Sequence, residues 1–443
     1  MDKFQFYVES VGLFPLVTSA VLGLIAVIFT PARLRLPLAI VLLFVTTPVG
    51  RFLDLGGLRN AAKLLTFPAF LLVGLAAVID SRPRASLSPL VTAHIILALL
   101  AFLFVVTVNN VGTAMLLRTQ WLVLVLAAIA VARTVRTEAD LRLVLISIWA
   151  GSSIAMLLAA SNIVLNPDTA LRRVGRFEPW GAPSNHIGVT FSLSISLSAY
   201  LLFLAKSNLQ RLVLVGILGI GLGCALLTGS RSTVATVVIA CLPMLFEARK
   251  RIGLLALGGG VATVGVLFVV RQFANTRLDR FTDFQSSRGE IALQYLDEVI
   301  AERPILGLLE TQGAPLLVAD EVGKTTHNAY LEAMYLGGIV YALPLILLCL
   351  VTLYAAFRVW LARKQSPQPL TYAFLAFFTG TFYAHGFANG AIFYPTYSWA
   401  FSQVLMSSVV LSAWMRMGKT GYAFEPEAYS YAPHAYDEYG YDA

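Results

Sequence analysis

Long apolar stretches alternate with short polar or basic breaks along most of the chain. Each stretch is close to the length of about 20 residues that a helix needs to cross the hydrocarbon core of a bilayer. The stretches occupy about 11–29, 36–53, 61–79, 88–108, 111–132, 141–162, 185–205, 209–228, 231–247, 252–271, 327–357, 370–388 and 396–416. The pattern therefore predicts about thirteen membrane-spanning helices, or about twelve if the short second stretch does not cross.

The composition indicates the same class of protein. Of the 443 residues, 58% are hydrophobic and 13% are charged, and the mean hydropathy is +0.77. A soluble domain of this composition would expose a very large apolar surface, so a bilayer must be the solvent for most side chains. We expect an all-α, polytopic membrane helical bundle. The three cysteines lie far apart in different apolar stretches, which favours neither a disulfide framework nor a metal site.

Lysine and arginine are concentrated in alternate short loops, which predicts that these loops face the cytoplasm. The richer set holds Arg33, Arg35, Arg82, Arg84, Arg133, Arg136, Arg142, Lys206, Arg211, Arg249, Lys250, Arg251, Arg358, Arg363, Lys364, Arg416 and Lys419. The opposite set holds Lys3, Arg51, Arg59, Lys63, Arg118, Arg172, Arg173, Arg176 and Arg231. This assignment predicts a multi-pass membrane protein with a cytoplasmic C-terminus. The orientation of the N-terminus stays open.

Three polar segments divide the chain. The first two, at 162–184 and 272–326, are predicted periplasmic loops of a single membrane domain that covers 1–417. The third is the tail at 418–443, which is rich in tyrosine and has no apolar period. We expect this tail to be disordered in the cytoplasm, either as a plain solvated segment or as a docking or modification segment.

The longer periplasmic loop contains a signal for a short helix. Ser287 and Glu290 have the spacing of a capping box, and an apolar stripe follows at helical spacing. The stripe consists of Ile291, Tyr295, Leu296, Val299 and Ile300, and Pro304 ends it. The pattern predicts an amphipathic helix that lies on the membrane or on the bundle.

Arginines on the predicted periplasmic face need a separate reason, because the charge bias that orients the chain disfavours them there. They are Arg172, Arg173 and Arg176 in the first long loop, Arg231 in a very short turn, and Arg288 in the capped helix. Guanidinium groups bind phosphate oxygens in a bidentate manner. A headgroup anchor is the alternative, but the turn that holds Arg231 leaves little room for an idle charge.

Two polar pairs begin apolar stretches on the same face. His327 and Asn328 stand where the longer loop enters its span, and Asn185 and His186 begin another span. A helix N-terminus favours the neutral imidazole, so His327 would be able to accept a proton as a general base. A capping or interfacial histidine is the alternative interpretation.

Motifs for metal-assisted or serine-hydrolase chemistry are missing from the sequence, which has no Asp-x-Asp pair, no helical His and Glu ligand spacing and no Gly-x-Ser-x-Gly elbow. We therefore expect no metal and no cofactor. An arginine-rich pocket beside a neutral histidine suits displacement of a phosphate leaving group by a hydroxyl that must lose its proton.

Four stretches together resemble the bacterial superfamily of O-antigen ligases and O-antigen polymerases. They are Arg172-Arg173-Val174-Gly175 with Ser184-Asn185; Thr228-Gly229-Ser230-Arg231-Ser232; Ser287-Arg288 with Arg303-Pro304-Ile305-Leu306-Gly307; and His327-Asn328 with Gly338. They occur in the order typical of the family and cover the C-terminal two-thirds of the chain. One position departs from the ligase pattern, because Tyr341 stands where ligases have a second glycine.

This resemblance implies a metal-independent inverting glycosyltransferase of the bacterial inner membrane with a periplasmic active site. It would move a glycan from an undecaprenyl diphosphate carrier to a sugar hydroxyl of a growing polymer or of lipid A-core. Arg231 and Arg288 would hold the diphosphate, and His327 would be the base. Substrate binding would fall to Arg172, Arg173, Arg176, Asn185 and Asn328. Membrane lipids and a chain-length regulator are further expected partners, and nucleic acid is not.

Three other functions stay open at this point. A ligase shares the motifs of a polymerase, although Tyr341 favours the polymerase that joins repeat units of a surface polysaccharide. A transporter or flippase of lipid-linked sugars would also have a dozen spans, but it predicts ionisable residues near the middle of the bilayer. A structural partner in a secretion complex is the last alternative.

Overall fold

The fold is known from a computed structural model. It describes residues 27–79, 111–170, 176–248, 328–366, 368–387 and 398–425, and two pieces at 295–301 and 303–307. It also describes fragments of one to three residues between 17 and 25, between 89 and 99, at 260 and at 292–293. Among these residues every regular element is helical. The one bridge of β type joins Thr137 to Glu425 within the described part.

Ten long helices lie within the described residues. They are α1 (Ala32–Arg51), α2 (Gly57–Val78), α3 (Val111–Thr134), α4 (Glu138–Leu165), α5 (Ser184–Leu204), α6 (Asn208–Thr228), α7 (Arg231–Ala248), α8 (Ala329–Ala362), α9 (Pro369–Gly386) and α10 (Ser398–Thr420). Each coincides with an apolar stretch of the sequence. The predicted spans at 11–29, 88–108 and 252–271 lie wholly or largely outside the described residues.

Six of the described helices are long and apolar enough to cross a membrane, which is consistent with a transmembrane protein. They are α1, α2, α4, α5, α6 and the part of α8 from Gly337 onward. The short second stretch of the sequence is among them, as α1, with a mean hydropathy of 1.6. The stretch whose crossing was in question is therefore a full-length apolar helix.

Local signals in the sequence set several helix ends. Thr137 and Asp140 form a capping box at the start of α4, and Ser207 and Gln210 form another at the start of α6. Each box satisfies backbone N–H groups that a helix start leaves without partners. At the end of α6, Gly229 takes a left-handed conformation with φ of 59°, which a glycine adopts without steric cost.

Small polar side chains hold the centre of the bundle together. Helix α5 carries a buried serine at every second position from 192 to 198. Ser194 Oγ lies 2.8 Å from Ser153 Oγ on α4, and the Trp149 indole donates to Ser198 Oγ at 2.8 Å. Tyr200, lower on α5, shares a hydrogen bond of 2.9 Å with Thr371 on α9. Small residues allow close helix approach, and these hydrogen bonds satisfy hydroxyls that apolar surroundings would leave without partners.

The loops meet in two groups at opposite ends of the helices. We call the group at 52–56, 166–170, 176–183, 229–230 and 328 the Asn185 end. It is joined by bonds such as Asp54 N–H to Trp180 C=O at 2.9 Å and Phe177 N–H to Leu227 C=O at 2.9 Å. The group at 135–137, 205–207, 363–366, 368 and 421–425 is the Arg142 end.

The first eight residues of the predicted tail, 418–425, lie within the described part of the chain. Helix α10 continues to Thr420, and the next five residues pack back on the Arg142 end. Ala423 and Phe424 are buried, and Arg416 donates to the carbonyls of Ala423 at 3.0 Å and Val135 at 2.9 Å. Two apolar residues followed by an acid, among tyrosines and prolines, are too short a signal to read as an ordered segment. Residues 426–443 lie outside the described residues.

Candidate functional site

Arg176 is the centre of a polar arrangement at the Asn185 end. Its Nη2 donates to Asn185 Oδ1 at 3.1 Å, and its Nε donates to the carbonyl of Thr228 at 2.9 Å. The side chain thus joins the start of α5 to the end of α6. Two of the sequence motifs, the one before α5 and the Thr-Gly-Ser-Arg turn, are therefore in contact.

The turn between α6 and α7 is short because its backbone is tightly hydrogen-bonded. The Gly229 N–H donates to Leu226 C=O at 3.0 Å, and the Ser230 N–H donates to Thr228 Oγ1 at 3.2 Å. Helix α7 begins directly afterwards at Arg231, whose side chain is exposed. Arg231 and Arg176 thus flank the same turn, so their positive charges lie at the same end of the bundle.

The loop that carries Arg176 is anchored to the bundle through Trp180. This residue has φ of 50°, an uncommon conformation for a side chain larger than glycine. Its backbone N–H donates to Asn162 Oδ1 at 2.8 Å, and its indole donates to Leu158 C=O at 3.1 Å. These bonds compensate for the strain and fix the path of the loop.

Helix α9 connects α7 to α8 at the same end. Thr236 on α7 shares a hydrogen bond of 3.2 Å with Nδ1 of the buried His385 on α9. Two residues before that histidine, Tyr383 C=O accepts from the Tyr330 hydroxyl on α8 at 2.8 Å. His385 therefore makes a hydrogen bond between two helices. The start of α8 is thereby tied to the helix that packs against α7.

Asn328 begins α8 as its N-cap. Its Oδ1 accepts the backbone N–H groups of Tyr330 at 3.0 Å and Leu331 at 3.2 Å. Because this oxygen serves the helix start, the side chain holds the segment that follows His327 in one orientation. Asn328 thus positions the start of α8 in this structure. Its role in substrate binding stays a prediction.

The motif at 303–307 packs against an interruption in α8. At Gly338 the helix has φ of 58° and ψ of −159°, and the next two N–H groups turn to the loop. Ile339 N–H donates to Pro304 C=O at 2.8 Å, and Val340 N–H donates to Ile305 C=O at 3.3 Å. Gly307, also left-handed, approaches the Tyr335 carbonyl so closely that a Cβ would lie 2.5 Å from it. Two motifs that are separate in the sequence therefore form one junction.

A helical turn of the long loop lies beside this junction. Residues Tyr295–Ile300 form a π-helical turn, where the sequence predicted an α-helical stripe. Tyr295 and Ile300 are buried, whereas Leu296, which the predicted stripe also includes, is 40% exposed. The Tyr295 ring meets the Tyr335 ring edge to face at 5.1 Å between centroids. Burial, with smaller contributions from the nearby Tyr335 and Glu332, raises the pKa of Tyr295 to about 12.

Glu332 is a residue that the sequence reading missed. It is the one acidic residue of α8, it lies in the first turn, and its exposed fraction is 8%. Glu332 precedes the membrane-crossing part of α8, which begins at Gly337, and a buried acid beside an apolar span is a signal of a functional site. Its position one turn after Asn328 makes it the described carboxylate nearest in sequence to His327.

Only part of the predicted set lies within the described residues. Arg176, Asn185, Arg231 and Asn328 are described and lie at one end of the bundle, with Arg176 and Asn185 in direct contact. The remaining predicted residues, Arg172, Arg173, Arg288 and His327, lie outside the described residues. In the part of the chain that the structure describes, no group of three or more His, Cys, Asp or Glu side chains has the arrangement of a metal site. Comparison with known proteins finds no family whose sequence pattern matches the chain and no curated protein with significant similarity to it.

Proposed function

We propose that the Asn185 end is the active site of a membrane-embedded glycosyltransferase that uses a polyprenyl-diphosphate-linked glycan as donor. The observation that carries the proposal is the contact of Arg176 with both Asn185 and the Thr228 turn that leads into Arg231. This contact gathers two guanidinium groups from distant parts of the sequence. Paired guanidinium groups at the end of a helical bundle suit a diphosphate at the membrane surface.

In this mechanism the arginines bind the diphosphate and stabilise the charge that develops on the leaving group. Arg176 and Arg231 act from the α5–α7 side, and Arg288 and the pair Arg172 and Arg173 act from the loops. His327 removes the proton of the acceptor hydroxyl as that oxygen attacks the anomeric carbon. The glycosidic bond forms with inversion as the bond to the phosphate oxygen breaks.

The described start of α8 supports a precise position for the base. Asn328 caps the helix, Tyr330 is bonded to α9, and the 303–307 junction holds the same helix from the loop side. Three independent contacts therefore limit the movement of the backbone that follows His327. A base held within a few tenths of an ångström of its working position is a general requirement of efficient proton transfer.

The first experiment is reconstitution of the purified chain with an undecaprenyl-diphosphate-linked oligosaccharide and an acceptor sugar. Substitutions Arg231→Ala and His327→Ala should each reduce product formation by about 100-fold or more, in line with general-base and charge-stabilising roles. Arg358→Ala, at the opposite end of the bundle, is the matched control and should retain normal turnover. Full activity of either Ala variant would remove that residue from the mechanism.

A second experiment separates the types of glycosyl transfer. Deletion of the gene in its own host should cause lipid-linked glycans to accumulate, and their length identifies the missing step. Single repeat units mean a polymerase, which we favour, and long chains mean a ligase that attaches finished polymer to lipid A-core. Absence of lipid-linked glycan from the periplasmic face would instead mean transport and would contradict the proposal.

A further inference from the structure

A cavity at the Arg142 end, far from the proposed active site, combines apolar walls with two cations. It has a volume of about 510 Å³ and lies between α4, α5 and α6. Its apolar lining includes Ile146 and Trp149 from α4, Leu201 and Leu204 from α5, and Leu209, Val213 and Leu214 from α6. This volume is within the general range of about 300–1,000 Å³ for small-molecule pockets.

The cavity opens towards the surface that the bilayer surrounds. Leu209 is 72% exposed, and Ile146 and Val213 are about half exposed, while Leu214 is buried at the back. Trp149 forms a fixed wall, because its indole donates to Ser198 Oγ at 2.8 Å. An apolar groove that is open to the hydrocarbon region suits an acyl chain better than a water-soluble ligand.

Arg142 and Lys206 supply positive charge at the polar end of this groove. The Nε of Arg142 is buried, and no group among the described residues accepts a hydrogen bond from it. Glu138, one turn before Arg142, accepts from Ser366 Oγ at 2.9 Å, and Asp140 accepts from the Thr137 N–H at 2.9 Å. The two nearest acids in sequence are thus engaged in capping and loop contacts, and no acid is among the described residues that line the cavity.

The polar side chain of Gln210, which also lines the cavity, is occupied by hydrogen bonds to the loop between α5 and α6. Gln210 Oε1 accepts the backbone N–H groups of Lys206 at 3.2 Å and Ser207 at 3.3 Å. These bonds hold the Lys206 backbone at the mouth of the cavity while its side chain is exposed. A buried guanidinium nitrogen without an acceptor, in a cavity that a lysine also lines, is unfavourable unless an anion joins it.

We infer that this cavity binds one anionic phospholipid from the leaflet at the Arg142 end. The phosphate oxygens accept hydrogen bonds from Arg142 and Lys206, and one acyl chain lies between α4 and α6. Charge complementarity selects an anionic headgroup over a zwitterionic one, and the apolar walls select a lipid over a free anion. The inference is independent of glycosyl transfer, because the cavity lies at the other end of the helices.

The test uses native mass spectrometry of the full-length chain with equimolar phosphatidylglycerol and phosphatidylcholine. The unmodified protein should retain one phosphatidylglycerol in preference to phosphatidylcholine. The double variant Arg142→Gln with Lys206→Gln should lose at least about tenfold in affinity for it, since it removes hydrogen bonds to a charged group. The double variant Arg358→Gln with Lys364→Gln removes the same charge at the same end outside the cavity, and it should bind normally.

A second variant tests the groove itself without a change in charge. Val213→Trp places a large side chain at the partly exposed mouth and should also reduce retention of phosphatidylglycerol by about tenfold or more. Glycerol phosphate, which has the headgroup chemistry without acyl chains, should not displace the lipid. Equal retention of the two phospholipids, normal binding by Val213→Trp or displacement by glycerol phosphate would each overturn the inference.

Discussion

The guanidinium of Arg176 donates to Asn185 Oδ1 at 3.1 Å and to Thr228 C=O at 2.9 Å, and so connects residues that are 43 positions apart. A planar fork with fixed donor directions makes two such bonds at once, which a single ammonium does less well. The position of its positive charge is therefore set by two helix ends rather than by one flexible side chain.

Arg176→Lys should lower glycosyl transfer by about tenfold or more with little change in the melting temperature. The ammonium retains the charge but cannot reproduce both directed hydrogen bonds, so the charge is less well placed. The measurement is turnover of the lipid-linked donor in parallel with thermal unfolding in detergent. Arg358→Lys, at the Arg142 end, is the control. Unchanged turnover in Arg176→Lys would mean that charge alone suffices at this position.

Gly338→Ala should destabilise the protein by at least about 2 kcal/mol. The residue has φ of 58° and ψ of −159°, and a Cβ there would collide with the carbonyl of Ile305. Thermal unfolding in detergent measures the change. Gly380→Ala, in a helix where a Cβ would meet nothing within 4 Å, is the matched control and should leave stability unchanged or slightly higher. Equal stability of the two variants would show that the junction at Gly338 contributes little.

High pH should release the helical turn at Tyr295. Because burial raises the pKa of this phenol to about 12, the folded state disfavours its ionised form. The contribution of this group to stability is complete below about pH 10, the ordinary tyrosine value, and is lost as the pH rises from there towards about 12. Hydrogen exchange of residues 295–300 should therefore accelerate over that interval.

Tyr295→Phe provides the control for this pH dependence. The ring should still pack against Tyr335, but the titrating hydroxyl is gone. Exchange in this variant should lose the part of the alkaline acceleration that exceeds the intrinsic increase of amide exchange with pH. Identical profiles for the two proteins would assign the effect to other groups.

Phe424→Ala should destabilise the protein by about 2 kcal/mol, because this buried ring packs at the Arg142 end. Its ring lies 5.4 Å below the guanidinium carbon of Arg416 and meets Tyr372 at 5.5 Å between centroids. Tyr422→Ala, two residues earlier and 58% exposed, should change stability by less than about 0.5 kcal/mol. Thermal unfolding of both variants gives the comparison, and similar losses would show that the segment is held by its backbone alone.

Apolar length and local capping were enough to place most of the described helices. The stretches that become α4 to α7 begin and end within a few residues of the prediction, because caps such as Ser207 and Gly229 are local signals. Contacts between residues that are far apart in the sequence could not be predicted from such local signals. The hydrogen bond from Arg176 to Asn185 depends on the path of the loop, and that path requires the left-handed conformation of Trp180. Nothing in the sequence indicates this conformation.

The candidate site was also predicted only in part. The sequence identified Arg176, Asn185 and Arg231 from residue type and predicted side of the membrane, and the structure places them at one end. It overlooked Glu332, although an acid in the first turn of an apolar helix is visible in the sequence. The packing of Phe424 was also overlooked, because a few apolar residues in a tyrosine-rich tail carry no periodic signal.

The break in α8 at Gly338 makes the long loop a structural part of the helix. Ile339 and Val340 find their acceptors in Pro304 and Ile305 instead of in the preceding helical turn. If the loop detached while the break remained, two N–H groups would lose their acceptors, at a cost of about 1–3 kcal/mol each where they are buried. Detachment would therefore be coupled to straightening of α8 through Gly338. The position of the loop and the tilt of the first nine residues of α8 are therefore coupled. A ligand or substitution that shifts one of them must also shift the other.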